Sequence, residues 1–156
     1  MINTVKTLVF AKNGKAKAAI VEVEVLDGIG IHVVGMNDRY VKDVLLRVVT
    51  AMQRNGYSIP GKKVVIRITG KPEKYEDLLD YPIYIALIMA ATGKKPSIWY
   101  NRNDYYVGSL RLDGSRLPLT DEQYYAIRSY QILHDYDYNS ERIVFERPEG
   151  CNEIGL

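Results

Sequence analysis

Apolar and polar positions alternate along the first third of the chain. Val5 to Ala11 reads as a strand, and Lys12-Asn13-Gly14-Lys15 as a tight turn, since Asn-Gly tolerates the positive φ angles of a type I′ hairpin. Ala19 to Leu26 alternates cleanly, with Ile20, Glu22 and Glu24 on one face and Val21, Val23 and Val25 on the other. Ile31 to Val34 follows the Asp27-Gly28-Ile29-Gly30 turn as a third strand. Three short strands joined by tight turns predict an antiparallel start.

The period then changes. Val41, Val44, Leu45, Val48 and Met52 recur at helical spacing, with Asn37 or Asp38 as the cap and Gly56 as the stop, which predicts a helix from Asp38 to Asn55. Lys63 to Thr69 returns to alternation and reads as a central strand. Asp80-Tyr81-Pro82 opens a helix to Thr92, with Asp80 as its cap and Pro82 in its first turn. That helix is apolar nearly all round, so it should be the most buried element. Gly93 to Pro96 is a loop, Tyr105 to Leu112 a strand, and Thr120 to Gln123 a capping box that starts a third helix, Asp121 to His134. Arg142 to Glu146 is the last strand. No repeat or linker divides the chain, so residues 1–156 are read as one domain.

Composition adds bounds. Hydrophobic residues make up 47% and charged residues 26%, which argues for a globular chain rather than a disordered one. A net charge of +2 gives no whole-molecule case for nucleic acid or an anionic membrane, so any such case rests on local clusters. One cysteine, Cys151, excludes an intrachain disulfide. The N-terminus has no signal-peptide core, and Ile83 to Ala91 is about half a bilayer span. The expectation is a cytoplasmic protein without a membrane partner.

Several segments together resemble a known family. Val34-Gly35-Met-Asn-Asp38, Val41-Lys42, Arg47-Val48 with Ala51, and Asn55-Gly56-Tyr-Ser-Ile-Pro60 resemble the N-terminal domain of ComM/YifB-type proteins, relatives of the magnesium-chelatase ChlI subunit. Val21-Glu-Val-Glu-Val25, Asp80-Tyr-Pro-Ile83, Gly108-Ser-Leu-Arg-Leu-Asp-Gly114 and Ile143-Val144 with Pro148-Glu149 agree with that pattern in order. The resemblance implies an α+β fold like the Lon proteolytic domain, ribosomal-protein-domain-like, with a mixed sheet packed by two or three helices. In the family this domain precedes an AAA+ ATPase. No G-x-x-x-x-G-K-[ST] phosphate loop occurs here, so no ready triphosphate cradle and no cofactor are expected. Gly28-Ile-Gly30 is not a dinucleotide loop, because Val33 stands at the third glycine position. The family's K-E-G-S-x-F-D-L-P segment departs here, with Glu76 for its glycine and Asp77 for its serine.

Catalytic chemistry is hard to find in the chain. Lon-type peptidases use a serine activated by a lysine. The corresponding segment has no serine, the Gly108 to Pro118 region has arginines but no lysine, and Ser97, Ser109 and Ser115 read as structural. Glu73, Glu76, Asp77 and Asp80 can be a hard-cation site, or a solvated loop whose last carboxylate caps a helix; the second is preferred. His32 and His134 lie in different elements, which disfavours zinc. Lys12, Lys15 and Lys17 in the first hairpin, with Arg39 and Lys42 on the first helix, are candidate phosphate contacts for DNA. Thirteen tyrosines suggest half-buried or interfacial positions, with the pairs Tyr105-Tyr106 and Tyr124-Tyr125 as candidate protein contacts. The expected function is a non-catalytic accessory or regulatory domain that acts through a protein partner, such as a separately encoded ATPase. Weak nucleic-acid binding is the alternative, and a degenerate peptidase the least favoured.

Overall fold

The structure is a computed structural model and describes residues 2–94, 100–134 and 141–150. In chain order the elements are β1 (Ile2–Phe10), β2 (Ala16–Leu26), β3 (Ile31–Val34), α1 (Asp38–Arg54) and β4 (Lys63–Ile68). A short 3-10 turn, Glu76–Leu79, then leads into α2 (Asp80–Thr92), β5 (Tyr105–Tyr106), α3 (Asp121–Leu133) and β6 (Ile143–Val144). One sheet runs in the order β3-β4-β2-β1-β5-β6. β2 pairs antiparallel with β1 and β4, while β3–β4, β1–β5 and β5–β6 are parallel. The fold is therefore α+β with a mixed sheet, as the resemblance implies. The antiparallel start expected from the first three strands holds for β1 and β2 only, because β3 crosses over to pair parallel with β4 instead of turning back on β2.

The period-2 pattern sorts the side chains onto two sheet faces. Val5, Val9, Val21, Val23, Val64, Ile66 and Ile68 form the floor of the main core beneath α1 and α2. Val44, Val48, Ala51 and Met52 are the buried stripe of α1, and every residue of α2 from Asp80 to Met89 is buried. On the opposite face, Leu8 and Phe10 of β1 meet Tyr124, Ile127 and Tyr130 of α3. Asn37 caps α1 by accepting the Arg39 N–H at 3.2 Å. The Thr120 capping box is reciprocal, with Gln123 N–H to Thr120 Oγ1 at 3.2 Å and Thr120 N–H to Gln123 Oε1 at 2.9 Å.

Three further expectations are corrected. The first hairpin is not type I′, which needs positive φ at both central residues. Among the described residues only Tyr75 and glycines take positive φ, so Gly14 alone supplies it, at 85°. The Gly14 N–H donates to Ala11 O at 2.8 Å, and the chain closes with Ala11 N–H to Lys15 O at 2.9 Å. Second, the strand expected from Tyr105 to Leu112 ends at Tyr106. Its backbone is diverted to the start of α2, with Gly108 N–H donating to Leu78 O and Tyr81 N–H to Gly108 O, both at 2.9 Å. Third, the last strand is confined to Ile143–Val144, and the Glu146 carbonyl accepts from Leu119 N–H at 3.0 Å instead of from the sheet. Lys95 and Pro96 of the expected loop, with Ser97 and Cys151, lie outside the described residues.

Leu87 sits at 0% exposure in the middle of α2, so Leu87→Ala should lower stability by about 2–5 kcal/mol in urea unfolding. Leu46, 64% exposed on α1, gives the contrast: Leu46→Ala should stay within about half a kcal/mol. Equal losses at the two positions would contradict the packing described.

Candidate functional site

Asp80 was expected to be a solvent-facing cap at the start of α2. It is instead wholly buried, at 0% exposure, and the 3-10 turn before it displaces the cap position to Leu79. Its carboxylate accepts from Arg47 Nε at 2.7 Å and Arg47 Nη2 at 3.1 Å, a two-pronged pairing from α1. Leu110 N–H reaches it at 3.1 Å and Ser109 Oγ donates at 3.2 Å. Burial pushes the Asp80 carboxyl above its ordinary value, against the opposing pull of Arg47, Leu110 N–H and Ser109. Arg47 is in turn held above its ordinary value by its hydrogen bond to Asp80.

The same segment that supplies Ser109 and Leu110 continues into an open cleft of about 730 Å³. Tyr81, Tyr84 and Tyr106 line its base, and Arg111, Arg116, Arg142 and Glu146 its walls. Arg116 donates to Tyr81 Oη and to Glu146 Oε1, each at 2.9 Å, with its guanidinium carbon 4.9 Å from the Tyr81 ring centre. Arg142 donates through Nε and Nη2 to Asp104 Oδ2, at 3.2 and 2.8 Å. Burial raises the Tyr81, Tyr84 and Tyr106 hydroxyls above their ordinary value. Tyr106 Oη is turned to the Asn101 backbone, accepting its N–H at 2.8 Å and donating to its carbonyl at 3.3 Å.

The sequence-derived candidates distribute unevenly. Lys12 and Arg39 line one hollow of about 700 Å³ together with Lys71, but Glu73 and Glu76 line it too. Lys15 faces a different hollow, beside Tyr125 and Tyr130, and Lys17 and Lys42 are exposed on β2 and α1. The five cations therefore do not form one surface. Of the tyrosines, Tyr106 and Tyr124 are core residues at 1% and 3% exposure and supply no contact surface. Tyr105 is half-buried beneath Lys6, whose Nζ lies 5.4 Å from the ring centre, and Tyr125 is exposed at 66%.

In the acidic segment Glu73 and Asp77 are exposed and Asp80 is committed to Arg47. Among the described residues no group of three or more His, Cys, Asp or Glu is placed to hold a metal ion. Ser109 is 7% exposed and directs its hydroxyl to Asp80, and Ser115 donates to Asp113 Oδ1 at 2.6 Å. Among the described residues no helix is long and apolar enough to cross a membrane.

Periodicity alone missed both the Asp80 cluster and the arginine cleft. The signal was present in the Gly108 to Pro118 region, which carries arginine where a catalytic lysine would be sought. Breaking a buried ion pair by removing one partner costs about 3–5 kcal/mol. Asp80→Asn should fall toward the lower end, because Arg47 keeps 29% side-chain exposure and can turn to water. Adding Arg47→Met to Asp80→Asn should recover part of the loss in urea unfolding; a double variant weaker than the sum of the singles would refute the pairing.

The cluster also bears on ancestry, because Arg47, Asp80 and Ser109 all fall within one region of similarity. A family model described as subunit ChlI of Mg-chelatase matches residues 21–127, which is well over half of the chain. No curated protein matches it. The match runs from β2 into α3 and takes in Arg47, Asp80, Ser109 and Arg116. The chain thus belongs to the family of the magnesium-chelatase subunit ChlI.

Proposed function

We propose that this chain is a non-catalytic accessory or regulatory domain, of the kind that precedes the ATPase in ComM/YifB-type proteins, and that it acts in the cytoplasm through a protein partner. A separately encoded ATPase of that class is the candidate partner. The observation that carries the reading is the closed pairing at Asp80. A nucleophilic serine needs a base to take its proton. Ser109, the buried serine of the segment, donates its hydrogen bond to a carboxylate that Arg47 already binds. The interior polar groups serve one another, which suits a domain that presents a surface rather than a reaction centre. Tyr125, exposed on α3, is the tyrosine best placed to contribute to such a surface.

Nucleic-acid binding is the second reading, favoured by the approach of Lys12, Arg39 and Lys71 to one hollow. It is weaker because Glu73 and Glu76 share that hollow.

The purified chain should show no ATP turnover and no digestion of an unstructured protein substrate. Turnover abolished by Ser109→Ala would replace this reading with an enzymatic one. Fluorescence anisotropy with single- and double-stranded DNA at low salt should be flat to tens of micromolar protein. A purified ComM-type ATPase should retain the chain in size-exclusion chromatography, and Tyr125→Ala should weaken that retention.

A further inference from the structure

One face of the sheet is filled by α1 and α2, and the other is covered at one end only. There α3 packs on Leu8 and Phe10 of β1, with Ala16 of β2 beside them. Beyond those residues the outward positions of β1, β2, β4 and β3 lie open. The open face of a sheet ordinarily carries polar side chains. This one interleaves them with aliphatic ones. Ile2, Ile20, Leu26 and Val34 all lie on it and all are exposed, Ile2 and Val34 at 55% and 54%. A single exposed apolar residue needs no explanation, whereas several gathered on one flat face mark a surface that something covers.

The charges on the same face are sorted by strand. β2 presents Glu22 and Glu24, and its neighbour β4 presents Lys63 and Arg67. The register sets them in rows: Glu22 lies opposite Arg67, and Glu24 opposite Val65, with Lys63 one step further along beside Leu26. Little of this charge is spent within the chain. Arg67 and Glu22 approach only to 4.0 Å, and the Arg67 side chain stays 67% exposed. Among the described residues Glu24 and Lys63 enter no ion pair.

An acidic strand beside a basic strand is self-complementary, the property that a two-fold interface requires. When a second copy is laid face to face, with the two-fold axis along the strands between β2 and β4, β2 of each copy lies over β4 of the other. Each acidic pair then meets a basic pair, and the aliphatic residues around them are shut from water. An axis turned across the strands would set acids over acids. From this pattern we infer that the open sheet face is a homodimer interface, occupied by a second copy of this chain stacked sheet on sheet. Stacked sheets sit about 10 Å apart, within reach of Glu, Lys and Arg side chains from both sides. An anionic membrane does not suit the face, because Glu22 and Glu24 would repel it.

Sedimentation equilibrium of the whole chain, from micromolar to millimolar concentration, should show a reversible rise to twice the mass of the chain. Glu22→Lys with Glu24→Lys makes both strands basic on this face, and Lys63→Glu with Arg67→Glu makes both acidic. Either variant alone should self-associate at least about tenfold more weakly, since like charges are then brought together. Mixed in equal amounts the two should recover the dimer, a rescue that damage to the fold would not produce. Thermal melts verify that both are folded; the single reversals Glu24→Lys and Lys63→Glu, mixed in the same way, serve if a double variant is not. Glu73→Lys with Glu149→Lys, an equal change of charge at two exposed acids outside the sheet, should leave the dimer intact. A chain that stays monomeric at millimolar concentration overturns the inference. So does a dimer indifferent to the reversals on the face, or a mixture of folded variants that stays monomeric. Reversals that spare self-association but abolish retention by the ATPase would assign the face to that partner, and they too would overturn it.

Discussion

A carboxylate placed in an apolar interior must be matched on every side or it will not stay ionised there. Asp80 is matched by residues remote in sequence: Arg47 from α1, and Ser109 with Leu110 from the segment after β5. This one requirement ties the first helix, the second helix and the late loop to a common point. It also explains why the chain leaves the sheet after Tyr106, since the Leu110 amide is needed at Asp80 rather than in a ladder. The arginine cleft is a by-product of that diversion, because the same excursion carries Arg111 and Arg116 outward.

The residues that make the family recognisable turn out to be the points where the chain touches itself. Arg47 and Asp80 come from two separate motifs and meet directly. Asn55 of another motif donates to the Asp113 carbonyl at 2.9 Å, and a side chain at Gly114 would collide with Asn55 Nδ2 at 2.6 Å. Gly35 lies so close to strand β4 that an added Cβ would collide with the Ile68 carbonyl oxygen. Such a pattern describes how to close a fold.

This is also why the sequence was informative about architecture and nearly silent about the site. Alternation in β2 and the helical stripe of α1 are local consequences of burial on one face, and they survive in the linear pattern. The capping box at Thr120 is likewise local. Asp80 before a proline looked like a cap because the cap signal is local too, whereas its actual partner lies 33 residues away. β5 and β6 each hold two residues, too short for any period to register. The cleft gathers residues from Tyr81 to Glu146, and no spacing rule relates them. Tyrosine frequency pointed toward a surface, yet Tyr106 and Tyr124 fill the interior, since a phenol can be buried once its hydroxyl finds a partner.

The sheet is secured very differently in its middle and at its β6 margin. β1 and β2 share a ladder that extends from Ile2 to Phe10, while β5 touches β1 in register only at Tyr105 opposite Lys6. Side chains supplement that thin seam, with Thr7 Oγ1 reaching the Tyr106 carbonyl at 2.7 Å and Asp104 holding Arg142. Elements with few ladder bonds open locally before the whole molecule unfolds. Amide protons of β6 should therefore exchange with solvent well before those of β2. The wall of the cleft that carries Arg142 and Glu146 belongs to this loosely stitched margin, so the ion pairs Arg142–Asp104 and Arg116–Glu146 act as rivets for that side of the sheet.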